Sequence, residues 1–366
     1  MKIPLVDLQA QMKLIKSDVL KNITSVVEKC NFVLGEEVQK FEQEFAKYCG
    51  ASFAVGLANG TDALHLAVRA AGIGTGDEVL VPANTFIATA LGVTFAGAKV
   101  VPVDVNPKNF LMNISLIEKA ITKNTKAIMP VHLYGRMMDL DPVLEITKKH
   151  GLIVIEDTAQ AHGAELYGKR AGSVGLMGCF SFYPGKNLGC YGDGGLVVTN
   201  SSELKDKLIS LRNYGSPKKY YHPILGFNCR LDTMQAAVLL AKLPHLDSYN
   251  QARYEVAVKY NRALEGVGDL VLPEVPEKKS HVFHLYVIQT KKRDTLLEHL
   301  NKQGVGAGIH YPVPIHLHGA YAHLGYKKGA FPVSERLSDE ILSLPVYPEI
   351  TDEQIGYTVE QIKKFF

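Results

Sequence analysis

Short apolar strands alternate with helical stretches between about residues 53 and 200, and this alternation limits the folds open to the chain. Seven segments are short and apolar enough to be buried strands: 51–57, 78–81, 99–103, 126–131, 152–155, 179–182 and 196–199. Apolar residues recur at helical spacing between them, in 62–71, 87–96, 115–121 and 139–149. Such alternation favours a mostly parallel sheet covered by helices on both faces. The sequence therefore predicts an α/β fold.

The pattern changes beyond Gly268, which predicts a second, smaller domain. The chain of 366 residues also exceeds what one ordinary core can organise. The later segments read as helices at 231–243, 247–265, 295–303 and 352–365 and a strand at 282–289. We predict a large domain over residues 1–245 and a small α+β domain over residues 246–366. This division allows the N-terminal helix, predicted at 14–28, to pack on the small domain.

Charge, hydropathy and cysteine usage exclude several classes of protein. A formal net charge of +3, without a dense run of Lys or Arg, gives no basis for nucleic-acid binding. No apolar stretch approaches the length of a membrane span. Five cysteines without a CxxC pair favour free thiols in a reducing compartment. We therefore expect a cytoplasmic protein without membrane or nucleic-acid partners.

Lys186 is the residue with the clearest chemical context. It lies in the run FSFYPGKNLGCYGDGG (180–195), where a short strand is followed by a Pro–Gly turn. The preceding strand, in GLIVIEDTAQAHGA (151–164), ends in Glu156 and Asp157. Open α/β sheets bind ligands at the carboxyl ends of their strands. A lysine on a turn facing a strand-end aspartate is what pyridoxal phosphate requires. The lysine binds the cofactor aldehyde covalently, and the aspartate keeps the pyridine nitrogen protonated.

A lysine after a turn is more often a solvated surface residue, so this interpretation depends on the other segments. In GLANGTDAL (56–64), Gly60 and Thr61 open a predicted helix after a strand, where free N–H groups bind phosphate. A helix N-cap that binds no ligand would have the same sequence pattern. Phe86, in PANTFIATA (82–90), begins another helix and could stack on a flat ring or belong to the core. Gln160 follows Asp157, and Ser181 precedes the Lys186 turn.

The histidines of IHYPVPIHLHGAYAH (309–323) allow two interpretations. His316 and His318 would share one face of an extended segment, as metal ligands can. Zinc or iron sites normally add Cys, Asp or Glu at comparable spacing, and none is present. We therefore predict no metal site and interpret the segment as a loop that contacts substrate.

These segments occur in one order with GFNCRLDTMQAA (226–237), and together they resemble a known family. The chain is similar over nearly its whole length to the fold-type-I, pyridoxal phosphate-dependent sugar aminotransferases called the DegT/DnrJ/EryC1/StrS family. The resemblance implies that Lys186 binds the cofactor covalently and that Asp157 pairs with its pyridinium. It also implies cofactor contacts by Gly60, Thr61, Phe86, Gln160 and Ser181. The residue at Asn228 is expected to reach the cofactor phosphate of a neighbouring subunit, which makes a homodimer the functional unit.

The resemblance further implies the reaction, with glutamate as the nitrogen donor and a nucleotide-linked keto sugar as the acceptor. The sequences NGTDAL, SFYPGKNLGCYGDGG and HYPVPIHLH resemble those of family members that aminate carbon 3. The segment RNYGSPKKYYH (212–222) resembles that of members that use dTDP-linked 3-keto-6-deoxyhexoses. Candidate substrate contacts are Tyr183, Lys219, Tyr221, Arg230, Tyr311 and His316. For Lys219, a solvated loop charge is an equally good interpretation.

Three alternatives stay open at this stage. The acceptor could be a UDP-linked 3-keto sugar or a 4-keto sugar. The chain could be a sugar dehydratase, although the resemblance implies a histidine in place of Lys186 in those relatives. It could also be a non-catalytic regulator on the same fold, although both Lys186 and Asp157 are present.

Overall fold

The structure, a computed structural model, describes residues 1–276 and 279–366 and confirms the predicted alternation of strands and helices. Its helices are α1 (Leu8–Lys29), α2 (Glu36–Cys49), α3 (Gly60–Ala70), α4 (Ile87–Phe95), α5 (Ile114–Ala120), α6 (Asp141–His150), α7 (Ser202–Arg212), α8 (Thr233–Lys242), α9 (Leu246–Leu264), α10 (Arg293–Lys302), α11 (Pro332–Glu340) and α12 (Asp352–Phe365). Its strands are β1 (Phe53–Leu57), β2 (Glu78–Pro82), β3 (Lys99–Val103), β4 (Thr125–Ile128), β5 (Ile153–Asp157), β6 (Glu165–Leu166), β7 (Lys169–Arg170), β8 (Met177–Ser181), β9 (Gly195–Thr199), β10 (Tyr286–Gln289) and β11 (Ile341–Leu344). Over these described ranges, every helix is too short or too polar to cross a membrane.

Seven strands within the described residues form one sheet in the order β1-β9-β8-β5-β4-β2-β3. The pairs from β8 to β3 are parallel, and β9 runs antiparallel to both of its neighbours. The sheet is therefore mostly parallel, as predicted. Since parallel strands end at the same edge, the residues that follow β2, β5 and β8 come together.

Helices cover both faces of this sheet, which explains why its strands are apolar without alternation. One face packs on α3, α4 and α7, and includes Val79 and Val197. The opposite face packs on α2 and α8 around Phe180 and on α5 and α6 around Leu80. Successive side chains of a strand point to opposite faces, so each strand contributes to two cores.

The C-terminal region forms its own core around the antiparallel pair β10–β11, with α9, α10 and α12 packed against it. Ile3 joins this core, because residue 3 pairs with Val305 ahead of the first helix. Helix α1 itself differs from the prediction: Ile15 and Val19 pack on Val238 of α8. Helix α1 therefore packs on the large region, whereas Ile3, which precedes it, packs in the C-terminal core.

Candidate active site

Asp157 and Lys186 come from neighbouring parallel strands. Asp157 is the last residue of β5 and pairs in register with Cys179 of β8. Ser181 ends β8, and Lys186 lies on the turn that follows. The aspartate and the lysine therefore meet at the carboxyl edge of the sheet, where their opposite charges attract. The fold therefore places these two residues at one edge of the sheet.

The carboxylate of Asp157 is buried, with 4% of the residue exposed. Thr89 Oγ1 donates a hydrogen bond of 2.7 Å to Oδ2, and the backbone N–H of Ala159 donates one of 3.1 Å to Oδ1. Burial raises the pKa of Asp157, while these hydrogen bonds and the charge of Lys186 act in the opposite direction. The two donors fix the orientation of a carboxylate that is costly to ionise without a cationic partner.

The backbone of Lys186 is hydrogen-bonded within its turn, whereas its side-chain Nζ has no hydrogen-bond partner among the described residues. Its N–H donates a 2.8 Å hydrogen bond to the carbonyl of Tyr183, which closes the turn. Across residues 1–276 and 279–366, no side-chain hydrogen bond involves its Nζ, and the charge that acts on it is that of Asp157. Burial lowers the pKa of Lys186 to about 8, against the attraction of Asp157. A lysine with this pKa has a substantial neutral fraction near pH 7–8, which is the nucleophilic form.

Two histidines near Lys186 are held neutral, so they add no charge to the site. Burial, helped by the Lys186 charge, lowers the pKa of His162 to about 3 and that of His310 to about 4. Asp157 is therefore the anionic group that this part of the cleft offers to Lys186 or to a cationic ring. The sequence alone could not assign these histidines, because their proximity to Lys186 is set by tertiary packing.

The first turn of α3 and Ser181 form a cradle of hydrogen-bond donors. Asn59 caps the helix by accepting from Asp62 N at 2.8 Å, which leaves the N–H groups of Gly60 and Thr61 without intrahelical partners. A Cβ atom at Gly60 would lie 2.5 Å from Ser181 Cβ, so only glycine lets the helix approach this serine. Backbone N–H donors at a helix N-terminus, together with the hydroxyls of Thr61 and Ser181, suit a phosphate group.

Aromatic and amide side chains lie beside the predicted ring position. Phe86 is the N-cap residue of α4 with 48% of its surface exposed, and its ring centroid lies 5.2 Å from that of Tyr311. Gln160 Nε2 donates to Tyr311 Oη at 3.2 Å, and Gln160 Oε1 accepts from the N–H of Tyr134 at 2.7 Å. Tyr311, predicted as a substrate contact, thus lies with the predicted cofactor residues Phe86 and Gln160.

The other predicted contacts lie on an exposed segment. Lys219 and Tyr221 are solvent-exposed, and the Lys219 ammonium lies 5.1 Å from the ring of Tyr220. Asn228 is exposed and pairs through its backbone with Asn213. The structure does not bring these side chains into contact with the cradle of the same chain.

Arg230 and Tyr183 are two further predicted substrate contacts, and both are at least partly exposed to solvent. Arg230 donates to Asn213 Oδ1 at 2.8 Å and is partly buried. Tyr183, on the Lys186 turn, has 60% of its surface exposed.

The prediction that His316 contacts substrate is not supported by its position. His316 is 2% exposed, and its Nε2 lies 3.0 Å from the carboxylate of Glu335. The predicted extended segment is instead a short 3₁₀ helix, Ile315–Leu317, which turns His316 inward. The alternation of His316 and His318 therefore does not place them on one face.

Two residues of the site were not predicted. Thr89 binds Asp157, and Tyr134 donates its N–H to Gln160 and its hydroxyl to the carbonyl of His310. Thr89 follows Phe86 by nearly one helical turn, which places both on one face of α4. That spacing is the only signal in the sequence that could have identified it.

A phosphate cradle, a partnerless lysine and an oriented aspartate fit pyridoxal phosphate, and with the α/β sheet they define a fold-type-I enzyme of that cofactor class. The profile of the DegT/DnrJ/EryC1/StrS aminotransferase family matches residues 13–363. The chain belongs to this family, and the prediction of an aminotransferase is confirmed.

Three curated relatives match almost the whole chain. A "UDP-N-acetyl-3-dehydro-alpha-D-glucosamine 3-aminotransferase" of Acidithiobacillus ferrooxidans is 47% identical over 99% of this chain and 97% of its own. A "dTDP-3-amino-3,4,6-trideoxy-alpha-D-glucose transaminase" of Streptomyces venezuelae is 44% identical over 100% and 96%. A "pleiotropic regulatory protein" of Geobacillus stearothermophilus is 46% identical over 100% and 99%.

Solved structures agree with the fold and with the cofactor. S. venezuelae DesV, solved with a ketimine intermediate, superposes with a TM-score of 0.97 at 44% identity, over 100% of this chain and 98% of that one. NtdA of Bacillus subtilis, solved with bound cofactor PMP, gives 0.90 at 31% identity, over 99% and 84%. The predicted cofactor is thus confirmed for the family to which the chain belongs.

Proposed function

We propose that the protein transfers an amino group from glutamate to carbon 3 of a nucleotide-linked keto sugar, with dTDP-3-keto-6-deoxyhexose as the acceptor. Glutamate leaves as 2-oxoglutarate, and the sugar carbonyl becomes an amine. The observation that carries the proposal is the meeting of Lys186, Asp157 and the Gly60–Ser181 contact at one edge of the sheet.

Each residue has a distinct task in this reaction. Pyridoxal phosphate supplies an aldehyde that takes up the amino group and a ring that accepts electrons. Gly60, Thr61 and Ser181 would hold its phosphate, and Asp157 would hold the proton on its ring nitrogen. Lys186 Nζ would bind the aldehyde and, as an amine, would accept and return the proton that the reaction moves. Its pKa, lowered to about 8, suits both accepting and returning a proton.

The nucleotide is the finer part of the proposal. Resemblance in the 212–222 segment and the S. venezuelae relative favour dTDP. The A. ferrooxidans relative, at 47% identity, favours a UDP-linked 3-keto sugar as the second candidate. Lys219 and Tyr221, exposed on that segment, offer a cation and an aromatic face to a diphosphate and a base.

A homodimer is part of the proposal. In one chain, the cation–ring contacts of Lys219 and Tyr221 lie within their own exposed segment, and Asn228 pairs through its backbone with Asn213. Placed on a partner, the Asn228 amide would complete the phosphate cradle of the other subunit. Tyr214, Tyr220 and Leu225, which are apolar and exposed, would be covered in the same contact.

The test is to incubate the purified protein with pyridoxal phosphate, glutamate and either dTDP-3-keto-6-deoxyhexose or a UDP-linked 3-keto sugar. Release of 2-oxoglutarate that depends on the dTDP sugar, with an amino sugar as product, is expected. Release with the UDP sugar alone would move the assignment to the second candidate.

The name of the Geobacillus relative raises a regulatory role as an alternative. A regulator has no need for an oriented Asp157 or a lysine with a depressed pKa. Absence of 2-oxoglutarate with every acceptor, in protein that nevertheless binds the cofactor, would favour regulation over catalysis.

A further inference from the structure

The turn that carries Lys186 is closed by contacts among its own atoms. Lys186 N–H donates to the carbonyl of Tyr183 at 2.8 Å. A Cβ atom at Gly189 would lie 2.4 Å from the carbonyl oxygen of Pro184, so the two strands of the turn are in close contact there. Such contacts set the shape of the turn. They do not fix its position relative to Asp157.

Helix α8 holds the far end of the turn with three hydrogen bonds. Gln235 Oε1 accepts from Tyr191 N–H at 2.8 Å, and Gln235 Nε2 donates to the Tyr191 carbonyl at 3.1 Å. Lys242 Nζ donates to the Gly189 carbonyl at 2.6 Å. Gln235 and Lys242 lie about two helical turns apart, so they project from the same face of α8.

Lys242 is an unusual choice for this position, because it is only 1% exposed. Its ammonium lies 4.4 Å from the ring centroid of Tyr191 and interacts electrostatically with the Cys190 thiol and the Glu349 carboxylate. Burying a charge costs free energy that a methionine of similar length would not incur. What the lysine adds is a strong donor for the Gly189 carbonyl.

The opposite side of the turn is anchored by different elements. Asn187 Nδ2 donates to Asn250 Oδ1 of α9 at 2.8 Å and to the carbonyl of Val282 at 2.9 Å. Lys186 lies one residue before this anchor and three residues before Gly189. The turn is thus hydrogen-bonded to α8 on one side and to α9 and Val282 on the other.

We propose that Lys242, assisted by Gln235, is a positioning residue: its ammonium holds the Gly189 carbonyl and keeps the Lys186 turn in register with Asp157 and Ser181. The inference rests on the proposed function for the role of Lys186, whereas the anchoring of the turn can be measured without catalysis.

The first experiment compares hydrogen–deuterium exchange of the full-length variants Lys242→Met and Lys207→Met, without cofactor. Lys207 is a matched control, since its Nζ donates to the Ala70 carbonyl at 2.7 Å and does not contact the Lys186 turn. We expect amides of residues 183–192 to exchange about tenfold faster in Lys242→Met and within twofold of wild type in Lys207→Met. Equal exchange in both variants would overturn the proposal.

The second experiment follows the reaction of cofactor-loaded protein with glutamate by absorbance. Lys242→Met should lower the rate constant about tenfold and change the apparent glutamate Kd less than twofold, because the turn moves while the binding groups stay. Lys207→Met should change neither value. If Lys242→Met behaves like Lys207→Met, the positioning role is wrong. If wild-type protein does not react with glutamate, the proposed function fails, and the exchange result alone decides the anchoring.

Gln235→Ala keeps the proposal testable if Lys242→Met does not fold. It removes both hydrogen bonds to Tyr191 without leaving a buried charge. Faster exchange across 183–192 and a lower rate constant support the proposal. Wild-type values in this folded variant contradict it.

Discussion

At the scale of single residues, the site depends on side chains whose ionisation is set by their neighbours. Asp157 and Lys186 are each costly to charge where they lie, and each stabilises the charged form of the other. Thr89 and Ala159 add hydrogen bonds that hold the carboxylate in one orientation. The resulting pair has a directed anion and an amine with a depressed pKa, the two properties that the proposed chemistry requires.

Thr89→Val should lower the rate of the glutamate reaction about tenfold, because it removes a 2.7 Å hydrogen bond to a buried carboxylate. Thr89→Ser is the matched control and should stay within about threefold of wild type, since it keeps the hydroxyl. The measurement is single-turnover absorbance of cofactor-loaded protein. Equal rates in the two variants would show that this hydrogen bond does not matter for the reaction.

Attachment of the cofactor to protein prepared without it should depend on pH through Lys186. The neutral amine reacts, and its fraction grows as pH rises through the pKa, so the attachment rate should increase up to about pH 8 and then level off. Asp157→Asn should move the midpoint lower, because the aspartate charge raises the pKa of Lys186. Stopped-flow absorbance at a series of pH values measures both. A midpoint near 10.5, the ordinary value for lysine, would contradict the burial of this amine.

At the scale of secondary-structure elements, sequence pattern predicts what is regular and long. The seven strands of the large sheet were predicted within two or three residues, because each is an apolar run buried on both faces. The hairpin of β6 and β7 was missed, since strands of two residues carry no periodicity. Helix α11 is not among the predicted helices, although Pro332 at its first turn is a helix-start signal. Asp157 and Lys186 could be predicted from the strands that precede them, whereas Thr89, Gln235 and Lys242 depend on packing between distant elements.

Gly60→Ala should weaken cofactor binding at least tenfold, because its Cβ would lie 2.5 Å from Ser181 Cβ and would push α3 away from β8. Gly356→Ala is the matched control. Its Cβ would meet no atom within 4 Å, and alanine in α12 should stabilise the protein by about 0.5–1 kcal/mol without changing cofactor affinity. Fluorescence titration with pyridoxal phosphate and thermal unfolding separate the two effects. Unchanged affinity in Gly60→Ala would mean that the helix–serine contact is not part of the phosphate site.

At the scale of the whole molecule, most of the residues proposed to hold the cofactor lie together in one chain, whereas several other proposed site residues lie on an exposed segment. Lys186, Asp157 and the Gly60–Ser181 cradle belong to one large region, while Lys219, Tyr221 and Asn228 extend from its surface. The C-terminal region contributes Tyr311 and the Val282 carbonyl that accepts from Asn187. Completion of each site by a second copy would account for both the exposed apolar residues and the unused polar ones.

Mixing two inactive variants tests this sharing of sites. Lys186→Ala and Asn228→Ala are each expected to be inactive or strongly impaired as pure proteins. After unfolding and refolding of an equal mixture, heterodimers should contain one site with both residues intact, restoring about a quarter of wild-type activity. Unmixed variants treated in the same way are the control. No recovery in the mixture would contradict a site shared between subunits.

Covalent trapping of the cofactor is the most direct test of the central claim that Lys186 is the residue that binds it. Protein loaded with pyridoxal phosphate is reduced with borohydride, digested and analysed by mass spectrometry. The phosphopyridoxyl group is predicted on the peptide that contains Lys186, and Lys186→Ala should carry none. A label on another lysine of the wild-type protein, or no label at all, would contradict the account.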